Sequence, residues 1–488
     1  MPENRCPSLT SLYSSLDRGD CGGPRRGTIL GWVAGLVSVL TAVSTQAQTL
    51  TDALAEAYNT NPQLLAQRAL LRATDEQVPQ ALSFWRPQVN FTGQVGGARS
   101  AVTPGSTGLP SLGGRSSYTT FYQNSLAVQV TQPVYRGGRT VAQTRQAINT
   151  VESTRAQTLA VETTVFQAVA MGYLDVVRDE ELVEVDRNNV EVLRKQLEAT
   201  TDRFRVGEVT RTDVAQAESS LAQAQGMLVA QQGTLEISRA EYVRAVGHPP
   251  GRLVLPRDRP ALPATREEAL SLAANNNFSV ISATFAELAA RDNIDVVRGQ
   301  LLPQISLVGS LTRSFAPSVT LNGTLEQSAS IIAQMTMPLY EGGAIYSQTR
   351  QAEQTVGQRR SQVDDARRAA VQTATQFWAT LEAGRASIKS FSAAVRAAQI
   401  ALAGVQQQAL VGTSTTLDVL IQNQQLLTTQ SQLVTAEHDT ALAEFNLAAA
   451  VGRLIAPELN LPVRLYDMER HYREVKDKWA GFRGGLSE

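Results

Sequence analysis

Apolar and polar positions along this chain follow two alternating rhythms. From about Thr51 to Trp85 the apolar residues Ala53, Leu54, Ala57, Leu64, Leu65 and Ala69 fall mostly at steps of three and four, which predicts a helix. After Pro87 the period drops to two. In "QVNFTGQV" Val89, Phe91 and Val95 alternate with Gln88, Asn90, Thr92 and Gln94, which predicts a strand with one apolar and one polar face. The Gly, Ser and Pro of "GGARSAVTPGSTGLPSLGGRSS" predict a loop. A second strand follows, with Leu126, Val128 and Val130 apolar and Gln129 and Thr131 polar. From Arg139 to Val206 there is no proline, and Phe166, Val169, Tyr173 and Val176 return to the helical period. That run predicts one helix of roughly 100 Å at ~1.5 Å per residue. Another helix is expected from Thr212 to about Val246.

The second half of the chain repeats the first. Ile305, Leu307 and Leu311, then Ile331, Ala333, Met335 and Met337 against Gln334 and Thr336, predict a second pair of strands. A second long helix is expected from Gly343 to Val411. Whole phrases recur as well. "QPVYRGG" (132–138) returns as "MPLYEGG" (337–343), so Pro133 and Pro338 stand 205 residues apart, as do Gly138 and Gly343. "FRVGEVTRTDV" returns as "ALVGTSTTLDV", with Gly207 and Gly412, and Asp213 and Asp418, again 205 apart. Upstream, Asn61 and Asn277, and Pro87 and Pro303, are 216 apart. The 11-residue difference is an insertion in the first copy, in the segment between Gly96 and Ser117. The chain is a tandem duplication.

This duplication sets an expected organisation: 1–47 an N-terminal extension and signal peptide, 48–247 the first repeat, 248–264 a proline-rich linker, 265–452 the second repeat, and 453–488 a tail. Pro133 and Pro338 lack a backbone N–H and suit a strand end. Gly137–Gly138 and Gly342–Gly343 can take positive φ and turn strand into helix. Within each repeat two helices of about 35 residues match one of about 70, at ~1.5 Å per residue. The short pair is therefore expected to stack end to end along the long one.

Composition narrows the function. A formal net charge of −1 on 488 residues gives no support for nucleic-acid binding. Arg25 and Arg26 precede an apolar stretch and small residues up to Ala47, as in a secretory signal. A single N-terminal membrane anchor is the alternative. The residue after the expected cut is Gln48, so no lipidated cysteine is expected there, and both cysteines, Cys6 and Cys21, lie in the removed part. The three histidines, His248, His438 and His471, have no ligand spacing, and there is no P-loop, Ser elbow or Gly-rich fingerprint. No enzyme, cofactor or metal is expected.

Strands with one apolar and one polar face suit a transmembrane barrel, whose outer face meets lipid and whose lumen is wet. Four strands cannot close an open barrel, but three chains supply twelve. The competing reading is an exported long-helix coiled-coil scaffold without channel activity.

The duplicated corners "QPVYRGG" and "MPLYEGG" and the duplicated tips "FRVGEVTRTDV" and "ALVGTSTTLDVL", in register over two repeats, resemble the TolC family. These are trimeric outer-membrane factors of Gram-negative type I secretion and drug efflux. The resemblance implies a mainly α fold with a twelve-stranded outer-membrane barrel, built by a homotrimer in outer-membrane lipid and continued by a periplasmic α-helical barrel. It implies an equatorial collar made from 248–264 and the tail. The implied partners are a periplasmic adaptor protein and an inner-membrane transporter, ABC or proton-driven. The implied adaptor contacts are Val206, Gly207, Thr210, Val411, Gly412 and Thr413 at the tips. The implied periplasmic gate is Thr212, Asp213, Asp418 and Ile421. Where the family has Tyr and Arg partners for Thr212 and Asp213, this chain has Ala409 and Ser414, with Arg211 nearby as a substitute. Ile421 replaces the second of two acidic positions. Helix capping is the other reading of Asp213 and Asp418, and helix termination that of Gly207 and Gly412.

Overall fold

A computed structural model describes residues 48–102, 117–256, 259–316 and 324–482. The signal segment and the inserted loop around Gly105 lie outside the described residues.

The first repeat begins with α1 (Leu50–Thr60), α2 (Pro62–Asp75) and α3 (Gln77–Ser83), where one helix was expected. The first break is chemical. Pro62 has no N–H and holds Asn61 in an extended conformation (φ −64°, ψ 122°). Asn61 closes α1 through its N–H to the Ala57 carbonyl and opens α2 by accepting the Gln63 N–H at 3.0 Å. In the second repeat Asn277 (φ −65°, ψ 127°) divides α6 (Arg266–Asn276) from α7 (Phe278–Arg298) with the same backbone conformation and opens α7 by accepting the Ser279 N–H at 2.9 Å, without a proline. Each asparagine also donates from Nδ2 to the end of a neighbouring helix, Asn61 to the Ala245 carbonyl at 3.0 Å and Asn277 to the Ala450 carbonyl at 3.1 Å. The duplicated asparagines are bolts between stacked helices.

The long helices are α4 (Arg139–Arg205) and α8 (Ala344–Leu410), each of 67 residues. They fold back into α5 (Arg211–Val246) and α9 (Thr416–Ala450). As the matched lengths predict, α1, α2, α3 and α5 all pack along α4. The two repeats are joined by α4 against α7 and α9, and by α5 against α9. The main core holds Leu54, Leu64, Phe166, Tyr173, Tyr242, Phe445 and Leu454. A polar clasp sits beside it. His438 of α9 lies 2.9 Å from Asp175 of α4 through Nε2 and 2.9 Å from Asp439 through Nδ1. Arg178 pairs with both Asp175 and Asp179, at 2.8 Å each. Burial alone would push the His438 pKa down, but the two carboxylates outweigh it and raise it.

The strands β1 (Gln88–Val102), β2 (Ser117–Arg136), β3 (Gln304–Ala316) and β4 (Thr324–Thr336) form one antiparallel sheet in that order. They are longer than the roughly ten residues of a minimal spanning strand. β2 also runs past Pro133, which was expected at its end, with an irregularity between Pro133 and Tyr135. β1 starts at Gln88 opposite Thr131, so beyond that point β2 has one neighbour, and a residue without an N–H is tolerated. Pro338 instead lies just outside β4.

Register sorts the side chains into two faces. Val89, Val130, Gly309 and Ile331 form one row, and Phe91, Val128, Leu311 and Ala329 the next. On the opposite face Asn90, Gln129, Ser310 and Ser330 align, with the Ser310 and Ser330 hydroxyls 2.8 Å apart. The apolar rows are exposed in the single chain: Phe91 at 69 % and Ile331 at 80 %. β1 and β4 are the two sheet edges.

The tail does not stay at the level of the main core. Leu454, Ala456 and Leu461 join that core, but beyond Asp467 the chain follows α2, α3 and α4. There His471 meets Asp75 at 3.3 Å, in α10 (Arg470–Val475), and Tyr472 packs near Val78 and Val151. Trp479 ends under the Arg86 guanidinium, 4.8 Å from it, at the root of β1.

Candidate functional site at the helical tips

The two helical turns far from the sheet are built to one plan. α4 ends at Arg205 with Val206 as its cap, and Gly207 (φ +81°) lets Glu208 N–H return to the Arg203 carbonyl at 2.9 Å. α8 ends at Leu410 with Val411 as its cap, and Gly412 (φ +81°) lets Thr413 N–H return to the Gln408 carbonyl at 2.9 Å. Both glycines therefore terminate helices, since a left-handed residue is what this closure needs. Val206 and Val411 stand exposed beside them.

The next helices start with capping boxes. Asp213 Oδ2 accepts from Thr210 N–H at 2.8 Å and from its hydroxyl at 2.7 Å, while Thr210 Oγ1 accepts the Asp213 N–H. Asp418 makes the same bonds with Thr415, at 2.8 and 2.7 Å. The threonine hydroxyl and then its N–H hold both aspartates below the usual carboxylate range. The T-x-x-D spacing of "TRTD" and "TTLD" carries this signal in the sequence, and it adds Thr415 to the site.

Thr212 and Asp418 are exposed, and Asp213 is half-buried. Ile421 lies with Leu417, Leu420, Asn189 and Asn423 around a cleft of about 270 Å³ between the two helical hairpins. The structure does not bring Asp213 and Asp418 together through any bond. Contact across the hairpins comes from residues that local patterning did not single out. Asn423 Nδ2 donates to Asn189 Oδ1 at 2.7 Å, and Arg203, not Arg211, reaches the Ala409 carbonyl at 3.5 Å. Leu193, Ala224 and Leu420 pack beneath. Ala409 thus supplies a backbone acceptor where a side chain was missing, and Ser414 turns inward to Gln408 Oε1 at 2.9 Å. Among the described residues no group of His, Cys, Asp and Glu is placed to hold a metal ion, and no helix is long and apolar enough to cross a membrane.

Residues 53–248 and 269–453 match the family model described as outer membrane efflux protein. The chain is 34 % identical over 436 residues to outer membrane efflux protein BepC of Brucella suis biovar 1, covering 89 % of this chain and 92 % of BepC. It is 29 % identical to outer membrane protein TolC of Vibrio cholerae, covering 82 % of this chain and 91 % of that protein. Its fold is similar to the crystal structure of outer membrane protein VceC of Vibrio cholerae, with a TM-score of 0.70 at 20 % identity, over 83 % of this chain and 96 % of VceC.

Proposed function

The chain belongs to the outer membrane efflux protein family, and on that footing we propose that three copies form one channel, twelve strands closed as a barrel and continued by an α-helical tunnel through the periplasm. Its fold is TolC-like and its place is the outer membrane. The observation that carries the channel reading is the sheet: four strands with one apolar face, one polar face and two open edges. On the apolar face, apolar side chains run from Ile305 to Phe315, ten steps along β3, interrupted at Arg313, whose row holds Leu126 and Gln327. At ~3.4 Å per residue and a tilt of ~40° this spans about 26 Å, close to the ~25 Å apolar band of outer-membrane barrels. The polar rows then line a watery lumen.

In this reading the protein conducts substrate from an inner-membrane pump and its periplasmic adaptor to the exterior, as part of a type I secretion or multidrug efflux assembly. The tips at Val206–Thr210 and Val411–Thr413 receive the adaptor. The hairpin contacts at Asn189–Asn423 and Arg203–Ala409 hold the periplasmic mouth closed, and Asp418 and Ile421 face its narrowest part. The proposed function is passage, with no catalytic step.

Purified protein added to planar bilayers tests this. Discrete, uniform conductance steps are expected. Folded protein that inserts no conducting unit would favour the scaffold reading.

A further inference from the structure

We propose that a second copy of this chain meets the first with the residue pairing that the chain already uses between its own repeats, so that Arg350 of one copy completes the Asp75–Glu76–His471 cluster of the next. The inference rests on the trimeric reading above and gives it residue-level content.

The junction from repeat one to repeat two has three layers. Val130 of β2 lies opposite Gly309 of β3. The Gly137 corner lies against Gly299 and Leu302. Arg145 of α4 reaches Asp295 at 3.2 Å and Asp292 at 3.7 Å on α7, and Asn149 Nδ2 donates to Asp292 at 2.6 Å. The duplication maps each side of this junction onto a surface that, among the described residues, meets no strand or long helix there, and on α2–α3 meets the tail strap at His471. Adding 205 carries β2, the corner and α4 onto β4, Gly342 and α8, and subtracting 216 carries β3 and α7 onto β1 and α2–α3.

Part of the mapped set keeps its chemistry: Asp295 becomes Pro79 and Leu302 becomes Arg86, so the Asp292 side of the ion pair is the side with a counterpart. Arg145 becomes Arg350, inside the same tetrapeptide "TRQA", and Asp292 becomes Glu76, so the ion pair survives with its sign. Asn149 becomes Gln354, still an amide donor. Gly299 becomes Ser83, small enough for the corner. Among the described residues both charged groups are left open: Arg350 is exposed with no carboxylate paired to it, and the Glu76 side chain is 42 % exposed with the His471 ring 3.8 Å away as its one ionic neighbour. His471 also holds the fully buried Asp75. Two carboxylates around one imidazole complement an arriving guanidinium, which is why the tail strap becomes part of the junction.

Strand parity checks the mapping independently. Val130 opposite Gly309 becomes Met335 opposite Gly93, and Val128 opposite Leu311 becomes Ala333 opposite Val95. All four mapped residues fall on the apolar face, whereas a slip by one residue would put apolar side chains among the polar rows.

The test uses detergent-extracted full-length protein. Arg350→Glu and Glu76→Arg should each lose most of the assembled form, and the double charge swap should recover it. Both natural cysteines precede Gln48, so engineered pairs report cleanly. Ala333→Cys with Val95→Cys should link copies covalently on oxidation, while Ala333→Cys with Phe91→Cys should not. No recovery in the charge swap, or linkage through the Phe91 position instead, would overturn the pairing even with the trimer intact. A wild-type protein that never assembles would instead sink the trimeric reading itself.

Discussion

The two strand-to-helix corners share a backbone and differ in company. Gly137 and Gly138 have φ of +63° and +74°, and Gly342 and Gly343 have +60° and +82°. A Cβ on Gly137 would lie 2.3 Å from the Gly299 carbonyl oxygen, whereas one on Gly342 would meet nothing within 4 Å. Tyr135 is 42 % exposed and Tyr340 is 80 % exposed. Duplication copied the local geometry, because that depends on Pro, Tyr and two glycines. It could not copy the packing inside one chain, because the first corner has a following repeat to rest on and the second does not. In the proposed assembly the open corner is the same joint, completed by another copy.

The largest effect should come from breaking the packed corner. Replacing both Gly137 and Gly138 with Val should abolish assembled protein, since β-branched residues resist positive φ. Normal yield of assembled protein from that variant would show the glycines are not needed for backbone geometry. The single substitutions sharpen the contrast. Gly137→Ala combines left-handed strain with a backbone collision and should cost roughly 2–5 kcal/mol. Gly342→Ala carries the strain alone within the chain, about 1–2 kcal/mol, and should act mainly on assembly. Thermal unfolding and assembled yield measured for both would reverse the comparison if Gly342→Ala were the more damaging to the fold.

The asparagine bolts come next. Asn277→Ala removes the cap and the bond to the Ala450 carbonyl, and about 1–2 kcal/mol should be lost. Asn61→Ala should cost less because Pro62 still stops the helix. Equal thermal shifts would mean the proline contributes nothing to the break.

A smaller, pH-dependent effect is expected at the His438 clasp. Its folded pKa is raised, so its stabilisation is complete below the unfolded value of about 6.5 and fades as pH rises through the raised folded value. His438→Gln should flatten that part of the stability–pH curve. An unchanged slope would assign it to other groups.

The smallest structural effect should follow Asp418→Ala. If three Asp418 carboxylates face one axis, the variant should lose cation preference and relief from multivalent-cation block should appear in bilayers. Unchanged reversal potentials in an assembled variant would leave Asp418 as a helix cap only.

What the sequence made legible is what repeats at short range. Alternation in "QVNFTGQV", the glycine pairs and the two tips all predicted their elements, because each depends on a few neighbours. The break at Asn61 was equally local, but the helical period of the apolar residues runs straight through it and masks it. The strap at His471–Asp75, the Asn189–Asn423 bond and the reach of Arg203 to Ala409 join residues far apart in the chain. Single polar side chains of that kind leave no period to read. Asp213 and Asp418 were legible as important positions, and T-x-x-D already said why the helix needs them.

Closure of the open sheet by further copies is tested most directly by the mass of the detergent-extracted protein. Native mass measurement should give three times the mass of one processed chain, with no stable smaller form at working concentrations. A folded, detergent-extracted protein whose mass is that of one chain would contradict the account, since β1, β4 and the Gly342 corner would then remain open in the working molecule.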